Sequence, residues 1–352
     1  MRPVFECPRC RGSHSPIDEE LGARPHERIS RGVAELVSWK AARQSFDDAS
    51  EDLRHCHGLG VSSSEVARIV HEVGARAHEY LAARDERWSE PVSSDRPVFA
   101  AEIEAGRLVV EIDGTIVLTR PGEEHKTVWV ARAFDAATRG AGASGRAHIT
   151  ESRYATGAGT LEEFKYSVDA LANRMGARSA EATAVVADGA PPLWNLLGER
   201  LPHAVQIQDY WHVSEHLHAL AKDLFGEQSP KAHERGEAWS QLLFDGATGG
   251  LIEQLEAERK RRRGAKRQRI SRELAYLHAG RHRMDYPRYR AQGWPIGSGA
   301  AEGACKHLVK ERFGLTGARW RRSDIKDVLA LRTAQFNNEW NDLWNIRDQR
   351  AA

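Results

Sequence analysis

Two aspartates stand where a charge has no packing role. Asp113 lies inside the β-branched run RLVVEIDGTIVLT (residues 107–119), and Asp188 closes the apolar run ATAVVADGA (residues 182–190). A carboxylate in such a run must be paired, hydrogen-bonded or metal-bound, because burying it alone is costly. Each is followed by a glycine, Gly114 and Gly189, which lets backbone or substrate approach closely. A single Asp-Gly pair is more often a turn, but two of them, each at a β-rich run, favour convergence on one site. A third carboxylate, Glu302, falls in the first turn of a predicted helix, where the helix dipole favours its ionised form. Its local chemistry alone reads as capping plus a Glu302–Lys306 pair, worth about 0.2–0.5 kcal/mol.

Other residues carry weaker signals. Asp209 and His212 form a D-x-x-H at a predicted strand-to-helix junction, where they orient a reacting group or simply begin the helix. His212, Glu215 and His216 match H-x-x-E-H, an inverted zinc-peptidase pattern, although a chain with 16 histidines reaches it easily by chance. Cys7 and Cys10 form a C-x-x-C that suggests Zn²⁺ in a reducing compartment. A closed structural site needs about four ligands, and Cys56, His14 or His26 would complete it awkwardly, so reduced thiols in a turn are the plainer reading.

Net charge is +1 from 51 basic and 50 acidic residues, so any polyanion contact must be local. Two stretches qualify. Residues 259–272 contain no acid and contribute Arg259, Lys260, Arg261, Arg262, Arg263, Lys266 and Arg267; residues 306–322 contribute Lys306, Lys310, Arg312, Arg319, Arg321 and Arg322. Either run alone is equally well a solvated helix face.

These residues need elements to position them. Phe46, Ala49 and Leu53 share one helical face, a glycine-containing break follows, and Ser62 with Glu65 forms a capping box before Val66, Ile69, Val70 and Val73. That is a helix-turn-helix layout, shared with plain helical hairpins. From residue 107 the period changes to strands: residues 107–119, KTVWVARAF after the turn PGEEH, a third within GRAHITESRYA, then 182–188 and HAVQIQ. A helix capped by Thr160 and Glu163 precedes the fourth strand, and PPLWNLLGERL follows it as another. The order predicts an α/β fold with a mixed five-stranded sheet and flanking helices, with strands one and four as neighbours. Residues 213–290 read as an all-helical insertion, and Phe336, Trp340 and Trp344 as packing residues at four-residue spacing. The expected divisions are 1–30 (partial zinc-ribbon-like), 31–95 (helix-turn-helix-like), 105–212 with 291–335 (catalytic), 213–290 (helical insertion) and 336–352 (C-terminal helix). No apolar run approaches the ~20 residues of a membrane span, and no leader pattern opens the chain, so a cytoplasmic protein with no membrane partner is expected.

The blocks EIDGT, VVADGAPPLWNLL, IQDYWHVSEHL and GWPIGSGAAEGACKHLVKERFGLTGARW closely resemble bacterial insertion-sequence transposases of the Kra type, in the acidic-triad superfamily. The resemblance runs from about residue 16 (PIDEELG) to Trp344. It implies a ribonuclease-H-like catalytic domain with Asp113, Asp188 and Glu302 as the catalytic triad. It also implies two Mg²⁺ (or Mn²⁺) ions roughly 3.5–4 Å apart, hydrolysis at element ends, and strand transfer into target DNA. The D-x-x-H of relatives falls on Asp209 and His212. Implied partners are terminal inverted repeats, target DNA and further copies of the chain in a synaptic complex, with nucleoid association when bound to DNA. Family members carry a longer N-terminal region than the six residues before Cys7, which leaves a truncated or repurposed DNA-binding protein as the alternative. A zinc metallopeptidase through His212, Glu215 and His216 is the remote one.

Overall fold

The computed structural model describes residues 5–11, 13–14, 29–89, 100–141 and 147–349. The chain divides into two compact units: Met1–Ala83, Val117–Lys126 and His307–Ala352 form one, Arg84–Ile116 and Thr127–Lys306 the other. This differs from the expected catalytic division of 105–212 with 291–335, because residues 307–335 group with the N-terminal helices and not with the sheet. The PIDEELG block lies outside the described residues.

In the first unit, β1 (Phe5–Glu6) pairs antiparallel with β2 (Ser13–His14). Three helices follow, α1 (Arg31–Ala41), α2 (Phe46–His57) and α3 (Ser63–Trp88). Gly58 ends α2 in the left-handed region at φ 66°, a conformation that glycine enters without strain. The Ser62 hydroxyl then accepts from the Glu65 amide at 3.3 Å. Ala49 and Leu53 on α2, with Val66, Ile69, Val70 and Val73 on α3, are buried as their spacing predicts. The outer face of α3 is not basic. Glu65, Arg68, Glu72 and Arg76 neutralise one another in a ladder of ion pairs.

The second unit is an α/β structure. Its elements are β3 (Arg107–Val117), β4 (Lys126–Asp135), β5 (Arg139–Ala141), β6 (Ala147–Ile149), β7 (Arg153–Gly157), α4 (Leu161–Arg174), β8 (Ala182–Ala187), α5 (Pro191–Arg200) and β9 (Val205–Gln208). Five strands form one mixed sheet in the order β7-β4-β3-β8-β9, in which β4 and β7 run antiparallel while β3, β8 and β9 run parallel. The segment GRAHITESRYA is not one strand. Its first half pairs as β6 with β5 in a separate ribbon, and only β7 joins the main sheet. The polar Thr150-Glu151-Ser152 between them interrupts the apolar alternation that a continuous strand needs.

Residues 210–291 contain no strand. They form α6 (Tyr210–Phe225), α7 (Pro230–Phe244), α8 (Thr248–Arg261), α9 (Gly264–Gly280) and α10 (Tyr286–Ala291). After the GWPIGSG loop comes α11 (Gly299–Ala304), which runs into a π-helical segment, Cys305–Lys310. The chain ends with α12 (Ile325–Phe336) and α13 (Trp340–Gln349). Phe336 and the two tryptophans therefore sit on different helices. Trp340 and Trp344 are buried nonetheless, and Trp340 packs edge-on to Trp39 with centroids 5.0 Å apart.

The sheet separates two cores by the period-two rule. Leu108, Val110, Ile112, Val185 and Ala187 face α4 and α5, in one cluster with Phe164, Leu171 and Leu193. Val109, Ala184, Val186 and Ile207 face the helical insertion, in a second cluster with Leu217, Trp239 and Leu274. An ionic knot also pins α9 to α6: the buried Glu273 carboxylate meets Arg269 at 2.8 Å and His216 Nδ1 at 3.4 Å. Burial alone would push this carboxyl up, but its bonds to His216 and Arg269 outweigh burial and hold it below the ordinary carboxylate value. A depressed acid contributes stability that is full above the unfolded-state pKa of about 4.5 and is lost as pH falls through the folded value. Glu273→Gln is expected to cost about 1–3 kcal/mol at pH 7. In thermal melts across pH, its deficit against the parent should shrink as pH falls below about 4.5.

Candidate active site

The parallel register decides where the carboxylates lie. Ile112 pairs with Ala187, and Ala187 with Gln208. One step further along each strand are Asp113, Asp188 and Asp209, so three aspartates form a row, with Asp188 and Asp209 just past the C-terminal ends of β8 and β9 and Asp113 just past the last β3 residue paired to β8. Adjacent members of such a row are about 4.8 Å apart along the sheet. Alternation turns all three toward the insertion side, together with Glu111, two residues before Asp113. The C-terminal edge of parallel strands is where open α/β sheets place their ligands.

Each aspartate is committed differently. Asp113 Oδ1 accepts from the amide of Gly114 at 2.7 Å, and Asp188 Oδ1 from that of Ala190 at 3.0 Å. Both residues are half-buried. Asp209 is fully buried and saturated. Its Oδ1 accepts from Trp211 N and His212 N as the cap of α6, and its Oδ2 from the amide of Ser298 at 2.7 Å and from the Ser298 hydroxyl. Asp209 thus begins a helix and also ties the GWPIGSG loop to it. Two more contacts hold that loop: Tyr210 N donates to Ile296 O at 2.8 Å, and the Arg107 guanidinium lies 4.0 Å over Trp294.

Glu302, on α11, completes the cluster. Its carboxyl is raised above the ordinary range by partial burial first, then by Asp209, Asp113 and Glu215, with His212 opposing them. The residue as a whole remains exposed. No ion pair joins Glu302 to Lys306 among the described residues, so its local capping role is weaker than its neighbours suggest. The glycines beside the aspartates hold no open space for substrate. A Cβ on Gly189 would lie 2.2 Å from the Tyr276 ring, and one on Gly114 2.9 Å from Trp129. Those rings fill the gaps.

Glu111 was not singled out from the sequence. It is buried within β3, accepts from the amide of Ala301 at 2.9 Å, and so anchors the start of α11, one residue before Glu302. Burial pushes its carboxyl up to about 7; the amides of Ala301 and Ala300 and the charge of Arg132 oppose that shift, and Asp209 adds to it. A glutamate on the same strand face as Asp113, in an otherwise apolar run, was the available signal. Glu215 and Ser298 were likewise missed as part of the carboxylate cluster, as was Trp211, whose side chain is 61% exposed beside Asp209.

The three expected carboxylates offer only hard oxygen donors, which suits Mg²⁺ or Mn²⁺. The like charges crowding Glu302 are what a bound cation would relieve. Neither the triad nor the set His212, Glu215 and His216 brings one ligand atom each to within 4.8 Å of one another. His216 is engaged by Glu273 and stacked on Tyr276 at 4.6 Å between centroids, a structural placement.

Cys7 and Cys10 are exposed on the β1–β2 turn, where Arg11 N donates to Cys7 O at 2.8 Å. The amides of Cys10 and Arg9, then the Cys10 side chain, lower the Cys7 thiol. Cys56 does not join them, since its thiol donates to Asp52 Oδ1 at 3.3 Å. The side chain of His14 and all of His26 lie outside the described residues.

The basic runs are less available than their composition suggests. Arg259 pairs with Glu256, Arg261 and Arg262 pair with Glu258, and Lys266 donates to Leu224 O. Lys260, Arg263 and Arg267 are exposed and form no ion pair among the described residues. In the second run, Lys306, Lys310, Arg319 and Arg321 are exposed, while Arg322 meets Glu124 at 3.4 Å. Arg312 is a correction. It is 2% exposed, donates to Ala41 O and lies between the rings of Phe46 and Trp320, so it packs a core and does not face phosphate.

A comparison with protein-family models and with curated proteins finds no match for this chain.

The anchoring role of Glu111 is open to measurement. Glu111→Ala strands a buried amide and is expected to cost about 1–3 kcal/mol in urea unfolding. Glu111→Gln keeps an acceptor and should retain most of that stability; equal losses in the two variants would remove the anchoring role.

Proposed function

We propose that this chain is a metal-dependent DNA transposase of the acidic-triad type, with Asp113, Asp188 and Glu302 as its metal-holding residues. The observation that carries the reading is the carboxylate row across the parallel strands β3, β8 and β9, with Glu302 raised first by partial burial and then by its like-charged neighbours. The strand order β7-β4-β3-β8-β9, three antiparallel-side strands followed by two parallel additions, supports a ribonuclease-H-like reading of the sheet. An all-helical segment between β9 and α11 supports it further.

Asp113, Asp188 and Glu302 would hold two Mg²⁺ ions. Bound there, such ions activate water and stabilise the attacking and leaving oxygens of an in-line phosphodiester displacement. The protein does the positioning. Glu111 fixes the start of the Glu302 helix, and Asp209 locks the preceding loop through Ser298. His212 favours the ionised form of Glu302. Trp211 offers an exposed aromatic face next to the carboxylates, suited to stacking a base of a locally unpaired strand. Lys260, Arg263 and Arg267, which form no ion pair among the described residues, are the first candidates for phosphate contacts. Assembly of several copies on paired element ends follows from the resemblance to insertion-sequence transposases.

The test is Mg²⁺-dependent cleavage and strand transfer on DNA from the flanks of the gene. Asp113→Asn, Asp188→Asn and Glu302→Gln should each abolish product formation while leaving DNA retention in gel shifts intact; activity equal to the parent in any of them would overturn the triad. A parent that binds those ends and never cuts would leave a DNA-binding protein without transposition. Independently, replacing Lys260, Arg263 and Arg267 with glutamine should flatten the dependence of log affinity on log salt by roughly 0.9 for each phosphate that is no longer neutralised. An unchanged slope would place the phosphate contacts elsewhere.

A further inference from the structure

Away from the carboxylate edge, the α6–α7 hairpin carries a second group of ligating side chains. His218 lies on α6, and His233 and Glu237 lie one turn apart on α7. One ligand atom from each falls within 4.8 Å of the other two. His218 Nε2 is 3.7 Å from Glu237 Oε1, and the two imidazole centroids are 6.4 Å apart. Ligands about 2.1 Å from a tetrahedral ion lie about 3.4 Å from one another, so only small rotamer changes separate this arrangement from a coordination shell.

Packing does not account for the group. The buried seam of the hairpin is made elsewhere, by Leu217, Trp239 and Leu243 and by the Ser214–Ser240 hydroxyl pair at 2.8 Å. The His218–Glu237 ion pair on its own, with Glu237 63% exposed, is of the kind that contributes little and needs only one histidine. The backbone is adapted to the His218 ring. A Cβ on residue 236 would sit 2.3 Å from His218 Nδ1 and 2.7 Å from Cε1, so the ring keeps its place only because that residue is Gly236. Gly236 stands in the same helical turn as His233 and Glu237.

We propose that His218, His233 and Glu237 bind one divalent first-row transition-metal ion with affinity for imidazole, Zn²⁺ being the probe ion, as a staple between α6 and α7. Two imidazoles and a carboxylate suit zinc, cobalt or nickel and differ in chemistry from the all-oxygen set at the sheet edge. Three protein ligands leave the fourth position to water. The site does not depend on the chain being a transposase.

The full chain, stripped with chelator, would be titrated with Zn²⁺, and with Co²⁺ to read ligand-field absorption. Cys7→Ser/Cys10→Ser is the background, which removes the thiols as competing ligands. Expected is one equivalent of Zn²⁺ more in this background than in the same protein carrying His233→Ala. Affinity at that site should fall at least tenfold in Glu237→Gln, and melting temperature should rise by a few degrees with Zn²⁺ only where the site is intact. His233 and Glu237 are exposed, so both variants should match the background in their metal-free melts. Equal Zn²⁺ stoichiometry and equal Zn²⁺-induced shifts in the background and in the His233→Ala/Glu237→Gln double variant would overturn the proposal.

Discussion

The feature on which the rest of the second unit depends is the shared register of β3, β8 and β9. Because side chains alternate across a sheet, a one-residue slip in either pairing would send an aspartate to the opposite face, into the cluster around Phe164 and Leu193. The register is enforced by what lies behind it. Leu108, Val110 and Ile112 on β3, with Val185 and Ala187 on β8, are all buried on that apolar face. Hydrophobic burial on one side of the sheet thus fixes a concentration of negative charge on the other. Folding tolerates it because two members of the group have their oxygens satisfied locally. Asp209 commits its oxygens to two helix amides and to Ser298, and Glu111 receives an amide at the head of α11 while burial favours its protonated form.

Much of this was legible in the residues. β-Branched content located β3, period-two alternation located β4, and the apolar brevity of residues 182–187 marked β8 as a strand buried on both faces. Thr160 and Glu163 form the full capping box their spacing announced. What escaped were features set by three-dimensional neighbours. Arg312 sits in a run that reads as a polyanion contact, yet Phe46 and Trp320, 266 and 8 residues away in sequence, enclose it. The same holds for residues 259–272, whose partners Glu256, Glu258, Asp223 and Glu273 lie outside the run. Composition counts charges; only the fold says which are already paired.

The GWPIGSG loop shows how a distinctive block ties separate elements together. Trp294 is clasped by Arg107, Ile296 accepts from Tyr210, and Ser298 answers Asp209. Each contact reaches a residue at an end of β3 or at the start of α6. The loop therefore converts the sheet's register into a position for α11, and Glu302 inherits that position. Beyond α11 the helix widens into the π segment Cys305–Lys310. Within the first unit, the carbonyls of His307 and Leu308 are taken by Arg332, a guanidinium that burial lowers to about 10.

Five carboxylates gather on this side of the sheet with Glu215 beside them, and their hydrogen bonds sort them. A carboxylate has about four lone-pair directions. Asp209 fills four with fixed protein donors and so has little capacity for a cation without dismantling the cap of α6. Glu111 is enclosed and committed to α11. Asp113 and Asp188 each make a short-range turn bond through Oδ1 and remain half-buried, while Glu302 and Glu215 reach toward them from exposed positions. Burial and saturation mark an acid that shapes such an edge. By that criterion Asp209 belongs with the scaffold even though it stands in the same row as Asp113 and Asp188. In sequence the three look alike, each an aspartate within or just after a strand-forming run; it is their burial and hydrogen-bond partners that divide them.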